Sequence, residues 1–444
     1  MNQNTIRDLG DGLILRRSTP QDMEALVAFH GDVHREVGAG EPDEYVAAWT
    51  QDLMRGDHPT FGVGDFTIVE DTRTTAIVSS MCLISQTWSY GGIKFGVGQP
   101  ELVGTHRDYR RRGLVRAQFD VIHQWSAERG ERVQGITGIP YFYRQFGYEM
   151  ALTLDGGRSG YKPQVPQLKE GEQEPYRVRP AREDDLPFLA QTYEVGARRY
   201  PVACVWNGAL WHYELLGKSE KNVNRRGLSL IETANGESVG FLAHTTRLWQ
   251  GRFGITTYEL KPGVSWLAVT PSVVRFLWSF GEERAAQDPK QQMERFVFWL
   301  GAEHPAYQVF RGRLPHEGQP YAWYLRVPDL AGFLRHVAPA LEGRLAGSPM
   351  VGHSGELKIS FYRNGLRLVF EAGRLALIEP WQPALAEDGD AAFPDRTFLQ
   401  LLFGYRSLEE LRHAFPDCWV SEDRARALLE AMFPKQPSNV WHVA

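Results

Sequence analysis

An arginine-rich turn carries the sharpest chemical signal in the sequence. From Val103 to Arg116 the chain reads VGTHRDYRRRGLVR, in which a predicted strand ends, several arginines follow and Gly113 begins a predicted helix. The free N–H groups and the dipole at a helix start attract anions, and arginine side chains add charge-assisted hydrogen bonds. The pattern indicates a phosphate-binding turn, but a solvated basic loop has the same composition. It is neither a P-loop nor a dinucleotide fingerprint, since both need more glycines.

This turn resembles the pyrophosphate-binding turn of GNAT N-acetyltransferases. The run Arg110-x-x-Gly113-x-Val115 follows the family pattern R/Q-x-x-G-x-G/A except at Val115. Together with FYRQFGY at 142–148, the run from Arg110 to Arg116 is similar to the branch called enhanced-intracellular-survival (Eis-like) acetyltransferases. That branch combines an N-terminal GNAT domain, a second, degenerate GNAT domain and a sterol-carrier-protein-like (SCP2-like) domain. The resemblance therefore implies an α/β (α+β) chain of three parts.

The resemblance also implies where acetyl-CoA, the co-substrate, would bind. Backbone groups of Val103, Gly104 and Thr105 would pair with the pantetheine arm, and Gly138 and Ile139 would border the thioester. The residues that would wrap the pyrophosphate are Arg111, Arg112, Gly113, Leu114, Val115 and Arg116. Thr105 stands where the family usually has an apolar residue, which is tolerable because the implied contacts are made by the backbone.

Two proton-transfer groups follow from the same resemblance. Tyr143 matches the tyrosine that protonates the departing CoA thiolate as general acid; the alternative is an aromatic packing residue. The family's general base is the C-terminal carboxylate, which here belongs to Ala444. The apolar tail VWHVA could dock, but a frayed terminus is the alternative. The reaction implied is attack of a neutral amine on the acetyl thioester, with the oxyanion held by a backbone N–H.

The acceptor side gives weaker signals. Five carboxylates crowd the first predicted helices, and they favour a cationic amine or form a solvated face: Asp32, Glu36, Glu41, Asp43 and Glu44. His30 and His34 lie four residues apart but have no third ligand, so we expect no metal site. The loops Gly38–Pro42 and Ser89–Ile93 would shape the pocket.

The chain divides into three units with a linker. A Gly-rich break, GGRSG at 156–160, precedes a stretch rich in Pro, Gln, Lys and Glu. After it, VRPAREDDLPFL at 178–189 repeats the pattern of LRRSTPQDMEAL at 15–26. We expect a GNAT domain at 1–156, a linker at 157–176, a degenerate GNAT-like domain at 177–326 and an SCP2-like domain at 327–444. The last should contain a hairpin around Asn364-Gly365 and a helix capped by Ser407.

The second unit is expected to lack a cofactor site. Its corresponding strand-to-helix segment is taken to be Trp266–Leu277, which contains no R-x-x-G and no turn glycine. One active site per chain follows.

Composition excludes several classes of protein. Lys+Arg 49 against Asp+Glu 54 gives a formal net charge of −5, which does not favour a nucleic-acid-binding protein. Three scattered cysteines exclude a disulfide scaffold. No apolar run is long enough to span a membrane, and Met1–Asp8 shows no signal peptide, so a cytoplasmic protein is expected.

The sequence thus predicts an acetyl-CoA-dependent N-acetyltransferase. Its acceptor would be a primary amine of a small cationic molecule or a lysine side chain. The alternatives are a non-catalytic lipid- or acyl-CoA-binding protein that uses the third unit, and an interaction scaffold. The resemblance implies a homo-oligomer and suggests a hexamer.

Overall fold

Three β-sheets with flanking helices form the molecule, in a computed structural model that describes residues 5–36, 40–384 and 389–444. In the described residues the sheets contain nine, seven and five strands. The fold is thus mixed α/β. In the same ranges, none of the helices combines the length and the apolar character needed to cross a bilayer.

The first unit follows the predicted alternation of strands and helices. Its main helix begins directly after Gly113 and follows the long central strand, because the apolar period changes there from two to 3.6. The elements are β1 (Thr5–Gly10), β2 (Leu13–Arg17), α1 (Met23–Val33), α2 (Glu44–Met54), β3 (Phe66–Asp71), β4 (Ala76–Tyr90), β5 (Ile93–Thr105), α3 (Leu114–Glu128), β6 (Val133–Ile136) and β7 (Glu149–Leu154).

The second unit repeats this arrangement with shorter strands. Its elements are β8 (Gly157–Gly160), β9 (Tyr176–Pro180), α4 (Leu186–Ala197), β10 (Val202–Cys204), α5 (Gly208–His212), β11 (Arg226–Thr233), β12 (Ser238–Thr245), β13 (Arg252–Leu260), α6 (Trp266–Ala285), β14 (Arg295–Phe298), α7 (Pro305–Phe310), β15 (His316–Gly318) and β16 (Tyr321–Arg326). The first sheet contains one parallel pair, β5 with β6, and the second sheet contains one, β13 with β14. The other strand pairs described in both sheets are antiparallel.

The third unit is a small α+β layer. The predicted hairpin is confirmed, since Ser360 pairs with Gly365 at its end. The predicted cap is confirmed too: the amide of Glu410 donates to Ser407 Oγ at 3.1 Å. Its elements are α8 (Leu330–Ala346), β17 (Gly355–Ser360), β18 (Gly365–Glu371), β19 (Arg374–Trp381), β20 (Ala391–Ala392), α9 (Phe398–Leu402), α10 (Leu408–Ala414), β21 (Trp419–Val420) and α11 (Asp423–Met432).

The first two sheets exchange strands. The first has the order β1-β2-β3-β4-β5-β6-β16-β7, with β10 added beside β4, and the second has the order β15-β8-β14-β13-β12-β11-β9. Strand β8 leaves the first unit to enter the second sheet, and β16 returns to the first. The expected boundaries are therefore wrong at these strands: 157–160 is not linker, and 321–326 does not belong to the second sheet.

The two units begin with the same ion-paired motif. Arg16 on β2 binds Asp22 at 2.7 Å and Glu70 on β3 at 2.7 Å. In the second unit Arg179 on β9 binds Asp185 at 2.7 Å and Glu232 on β11 at 2.9 Å. The likeness seen in the sequence thus includes an arginine that ties the helix start to the neighbouring strand in both units.

The predicted strand-to-helix segment of the second unit is wrong. Residues 266–277 are helical throughout, and the strand before them ends at Leu260. The connection contains Gly263 at φ +86°, so a turn glycine is present, contrary to expectation. It holds no arginine, and Ser265 Oγ accepts a hydrogen bond from the amide of Ala268 at 3.3 Å, which occupies one of the free donors at the helix start.

Candidate functional site

A cleft opens where two central strands separate. Strands β5 and β6 pair only at Val97–Val133 and Gly98–Gln134. Beyond Gly98 they diverge, and a cavity of about 680 Å³ lies beside the far half of β5. On this edge the backbone N–H and C=O groups of β5 have no partner strand among the described residues. They are therefore available to an extended ligand such as an amide-containing arm.

A bulge reshapes β5 at the same level. Leu102 has φ +53°, a left-handed conformation that is unfavourable for leucine, and the pairing with β4 shifts between Ser80 and Cys82. A bulge changes the direction of the local peptide groups and side chains, and bulges are common near active sites. Glu101 and Leu102 therefore lie at the point where the strand bends.

The arginine-rich turn closes one end of the cleft. Arg111 has φ +65° and Gly113 has φ +75°, and α3 begins at Leu114. Nothing lies within 4 Å of the position that a Cβ on Gly113 would take, so a ligand can approach the backbone there. The first hydrogen bond of the helix runs from the amide of Ala117 to the carbonyl of Gly113. The amides before Ala117 therefore have no partner within the helix.

Four exposed arginines surround this helix start. Arg110, Arg111, Arg112 and Arg116 make no ion pair with the described residues. Arg116 is held in place by Gln145, whose side-chain oxygen accepts at 3.1 Å. Unpaired guanidinium groups beside free amides form a site for an anion such as a diphosphate.

Most of the predicted cofactor residues lie around the 680 Å³ cleft. The predicted residues that line it are Val103, Gly104, Thr105, Arg111, Gly113, Leu114, Val115, Arg116 and Ile139. Arg112 instead lies over the ring of Tyr109, at 5.1 Å. Gly138 is exposed next to Ile139, and a Cβ on it would be 3.8 Å from Tyr143 Oη.

Tyr143 lies in the short helix Phe142–Phe146, which Gly147 ends at φ +92°. Its ring is buried against Phe119 and Tyr324, but its hydroxyl has no hydrogen-bond partner in the described ranges. Burial, together with the nearby Glu101 carboxylate, raises the pKa of Tyr143 well above its usual range. The group thus stays protonated near neutral pH and can donate a proton only to a strong base such as a thiolate.

Sequence reasoning missed a row of polar side chains across the sheet. Gln86 donates to Gln99 Oε1, and Gln99 donates to Glu101 Oε1. Burial raises the pKa of Glu101 to about 7. The signal available in the sequence was an acidic and two amide side chains, which are seldom buried, in the predicted strands Ala76–Tyr90 and Ile93–Thr105.

The row ends at the C-terminal tail. The amide of Val443 donates to Gln86 Oε1 at 3.0 Å, and Ala444 is only 4% exposed. Trp206 also anchors the tail. Its indole N–H donates to the carbonyl of Trp441 at 3.0 Å, and its ring packs against the ring of Trp441. The tail is therefore docked on the first sheet, on the face that carries Gln86.

The acidic residues of the first helices are partly used in structural contacts. Asp32 pairs with Arg35 at 3.0 Å, and Glu44 pairs with Lys221 at 2.6 Å. Asp43 caps α2 by accepting from two amides. Gly38 and Ala39 of the expected pocket loop lie outside the described residues.

Neither His30 nor His34 belongs to a metal-binding group. Burial lowers the pKa of both, and His30 Nε2 lies 3.3 Å from Ser80 Oγ. In the described part of the chain no three His, Cys, Asp or Glu side chains are grouped as metal ligands would be.

Comparison with known proteins finds a family match in the first unit. Residues 15–151 match the family model of the acetyltransferase (GNAT) domain. No curated protein matches the sequence.

Solved structures share the fold over nearly the whole chain. A probable N-acyltransferase from Enterococcus faecalis V583 has a TM-score of 0.65 at 12% identity, covering 96% of this chain and 97% of its own. A GCN5-related N-acetyltransferase from Kribbella flavida has a TM-score of 0.62 at 16% identity, and the match covers 97% of this chain and 98% of its own. Eis1 from Mycobacterium abscessus has a TM-score of 0.59 at 12% identity, and the match covers 97% of this chain and 99% of its own. At these identities the likeness shows the fold alone.

Proposed function

We propose that this protein is an N-acetyltransferase that moves the acetyl group of acetyl-CoA to a primary amine. The observation that carries the proposal is the separation of β5 from β6, with the Arg110–Arg116 turn at its end. In a GNAT domain this combination offers unpaired strand groups for the pantetheine amides and a cationic helix start for the pyrophosphate.

The residues around the cleft then have distinct roles. Backbone groups of Val103, Gly104 and Thr105 bind the pantetheine arm, and the stretch Arg111–Arg116 binds the pyrophosphate. Ile139 borders the thioester from the side of β6, next to Gly138.

The chemical step needs an amine without its proton and an acid for the leaving thiolate. The amine nitrogen attacks the thioester carbon, so that the C–N bond forms and the C–S bond breaks through an oxyanion stabilised by a backbone N–H. The carboxylate of Ala444 accepts the proton that the amine loses. Tyr143 donates its proton to the sulfur, and its raised pKa keeps that proton in place until the thiolate develops.

The acceptor is proposed to be a primary amine of a small molecule or of a lysine side chain, entering as a cation. Glu36, Glu41, Asp43 and Glu44 line a second cavity, of about 770 Å³, between the first two units. Since Asp43 and Glu44 also have structural partners, they are only partly available to a substrate.

The remaining parts of the proposal concern the third unit and assembly. We propose that 327–444 is an SCP2-like domain that presents the tail, and that the chain forms a homo-oligomer in the cytoplasm.

The alternative, a lipid- or acyl-CoA-binding protein, requires a free apolar cavity in this unit. Leu401, Leu402 and Phe403 are buried, and Phe403 packs against Tyr90 and Phe333. A cavity of about 340 Å³ does border this unit, and its apolar lining includes Leu330, Phe361 and Phe398.

The test is CoA-thiol release with acetyl-CoA against a panel of polyamines, aminoglycosides, amino acids and lysine peptides. We expect turnover with at least one amine, and Arg116→Gln should raise KM for acetyl-CoA by about tenfold, since a charge-assisted contact is worth about 1.5–3 kcal/mol. Arg107→Gln is the matched control, because this exposed arginine pairs with Asp108 and does not line the cleft. Binding of acetyl-CoA without turnover would favour an acyl-CoA-binding protein, and no binding of acetyl-CoA would contradict the proposed enzyme.

A further inference from the structure

A third cavity lies between the C-terminal residue and a group of basic side chains. It has a volume of about 370 Å³ and lies between the first unit, the second unit and the tail. Ala444 lines it together with Trp441 and His442, and the second unit supplies most of the opposite wall. The charged side chains around it are Asp155, Lys218, Glu220, Arg225, Arg226 and Arg247.

Three of these cations have no carboxylate partner. Arg225, Arg226 and Arg247 make no ion pair within 4.0 Å in the residues that the structure describes. Arg225 donates to the carbonyl of Lys218, and Arg226 to the carbonyls of Val223 and Arg225. Arg247 lies over the ring of Tyr45, at 3.1 Å from its centre. Most of their N–H groups are therefore left for a ligand.

The nearby carboxylates Asp155 and Glu220 lie around the cavity without an ion pair to these guanidinium groups, so they compensate the positive charge only in part. Lys218 is already paired with Glu214 at 2.5 Å, and both side chains are buried. His442 is neutral, because burial and the nearby Lys218 and Arg226 lower its pKa to about 3. Burial also lowers the pKa of Arg226, while the carboxylates of Glu214 and Asp155 act in the opposite direction.

A desolvated guanidinium is stabilised most by an oxyanion, which it binds with two parallel hydrogen bonds. The terminal carboxylate in the same cavity offers the opposite charge, suited to an ammonium group. The cavity thus has separate places for a cation and an anion.

We propose that this cavity is the acceptor subsite and that it selects amines that carry an anionic group, a carboxylate or a phosphate, a few bonds from the reacting nitrogen. The anion lies on Arg226 and Arg247, and the amine is directed toward the carboxylate of Ala444. This rests on the proposed function and narrows it: zwitterionic amines are better acceptors than polyamines of equal length.

The test compares acceptors that differ only in the distal group. CoA release is measured with an ω-amino acid, the ω-amino alcohol of the same length, the corresponding diamine and an ω-aminoalkyl phosphate. We expect kcat/KM for the amino acid or the phosphate to exceed that of the alcohol by about tenfold and that of the diamine by more. The acid and phosphate arms identify which anion is preferred.

Arg247→Gln is the main variant, since its guanidinium only stacks on Tyr45, and Arg226→Met is the second. Both variants should lower kcat/KM for the anionic amines by about tenfold because KM rises. The kcat/KM for the amino alcohol should stay within about twofold of the wild-type value. Arg198→Gln is the matched control, because Arg198 is exposed and pairs with Glu194 away from the cavity. Equal use of the alcohol or diamine, or equal losses for all acceptors, would overturn the proposal.

A binding measurement separates this proposal from the proposed function. If none of the amines is acetylated, the proposed function fails, and calorimetric titration of the full chain with the ω-amino acid decides the subsite. Binding that Arg247→Gln abolishes and Arg198→Gln retains supports the anion site. No binding to the wild type overturns it.

Discussion

The ring of Tyr143 is packed in the core, whereas its hydroxyl has no hydrogen-bond partner among the described residues. Removing the hydroxyl therefore tests its chemical role without removing the packing of the ring. Tyr148, close by, is equally buried, but its hydroxyl is bonded to His123 Nε2 at 2.9 Å. If Tyr143 is the general acid, the two tyrosines should respond differently to loss of the hydroxyl.

We expect Tyr143→Phe to lower kcat by about 100-fold, the lower end of general-acid effects, with an unchanged KM for acetyl-CoA. Tyr148→Phe should lower thermal stability and leave kcat within a few-fold, because it removes a buried hydrogen bond. Steady-state kinetics and thermal unfolding measure both. An unchanged kcat in Tyr143→Phe would contradict the assignment.

Glu101 is a carboxylate whose folded pKa of about 7 lies above the ordinary value of 4.5. The folded state therefore binds the proton more tightly than the unfolded state. The contribution of Glu101 to the free energy of unfolding should fall as pH rises from about 4.5 to about 7 and be constant above that range.

Replacing Glu101 by Gln removes this titration and keeps an oxygen that accepts from Gln99. At pH 8.5 we expect Glu101→Gln to be more stable than the wild type by up to about 3 kcal/mol, since one pKa unit is worth about 1.4 kcal/mol. Below pH 4.5 the two should be equal. Denaturant unfolding at both pH values measures this, and a constant difference would contradict a pKa near 7.

At the scale of elements, the tail is held by contacts other than its terminal charge. Its backbone bonds Gln86, and Ser438 Oγ accepts from the amide of Val202 at 3.2 Å. The carboxylate itself makes no ion pair with described residues. Removal of its charge should thus leave the docking unchanged.

We expect a C-terminal amide, introduced by ligation of a synthetic tail, to lower kcat by about 100-fold without a change in melting temperature. A two-residue extension should do the same and also lower the melting temperature, because Ala444 is buried. The ligated free acid is the control. An active amide would exclude the terminal carboxylate as the base.

At the scale of the molecule, the exchanged strands join the first two units into one structure. Trp323 on β16 is fully buried against Trp88 in the first sheet, at 5.3 Å between ring centres. The first unit without β16 would expose this apolar surface, leave β7 without a partner among the described residues and leave β6 paired only with β5.

We expect residues 1–156 alone to remain unfolded or to aggregate, as judged by thermal unfolding and light scattering. Co-expressed fragments 1–170 and 171–444, cut in an exposed stretch, should co-purify, because β8 and β16 then cross between them. Fragments 1–156 and 171–444 lack β8 and should associate more weakly, through β10 and β16 alone. A folded 1–156 fragment would contradict the structural role of β16.

The sequence by itself determined what depends on neighbouring residues. The turn at Gly113, the Asn364-Gly365 hairpin, the Ser407 cap and the repeated starts around Arg16 and Arg179 are set by dihedral preferences, capping and side-chain spacing, and all appear in the structure. Only the tertiary structure decided the exchange of β8 and β16, the row from Gln86 to Glu101, and the cavity shared by Ala444 and three arginines. These join residues up to several hundred positions apart, and their pairing depends on which surfaces are buried together, which local patterns do not specify.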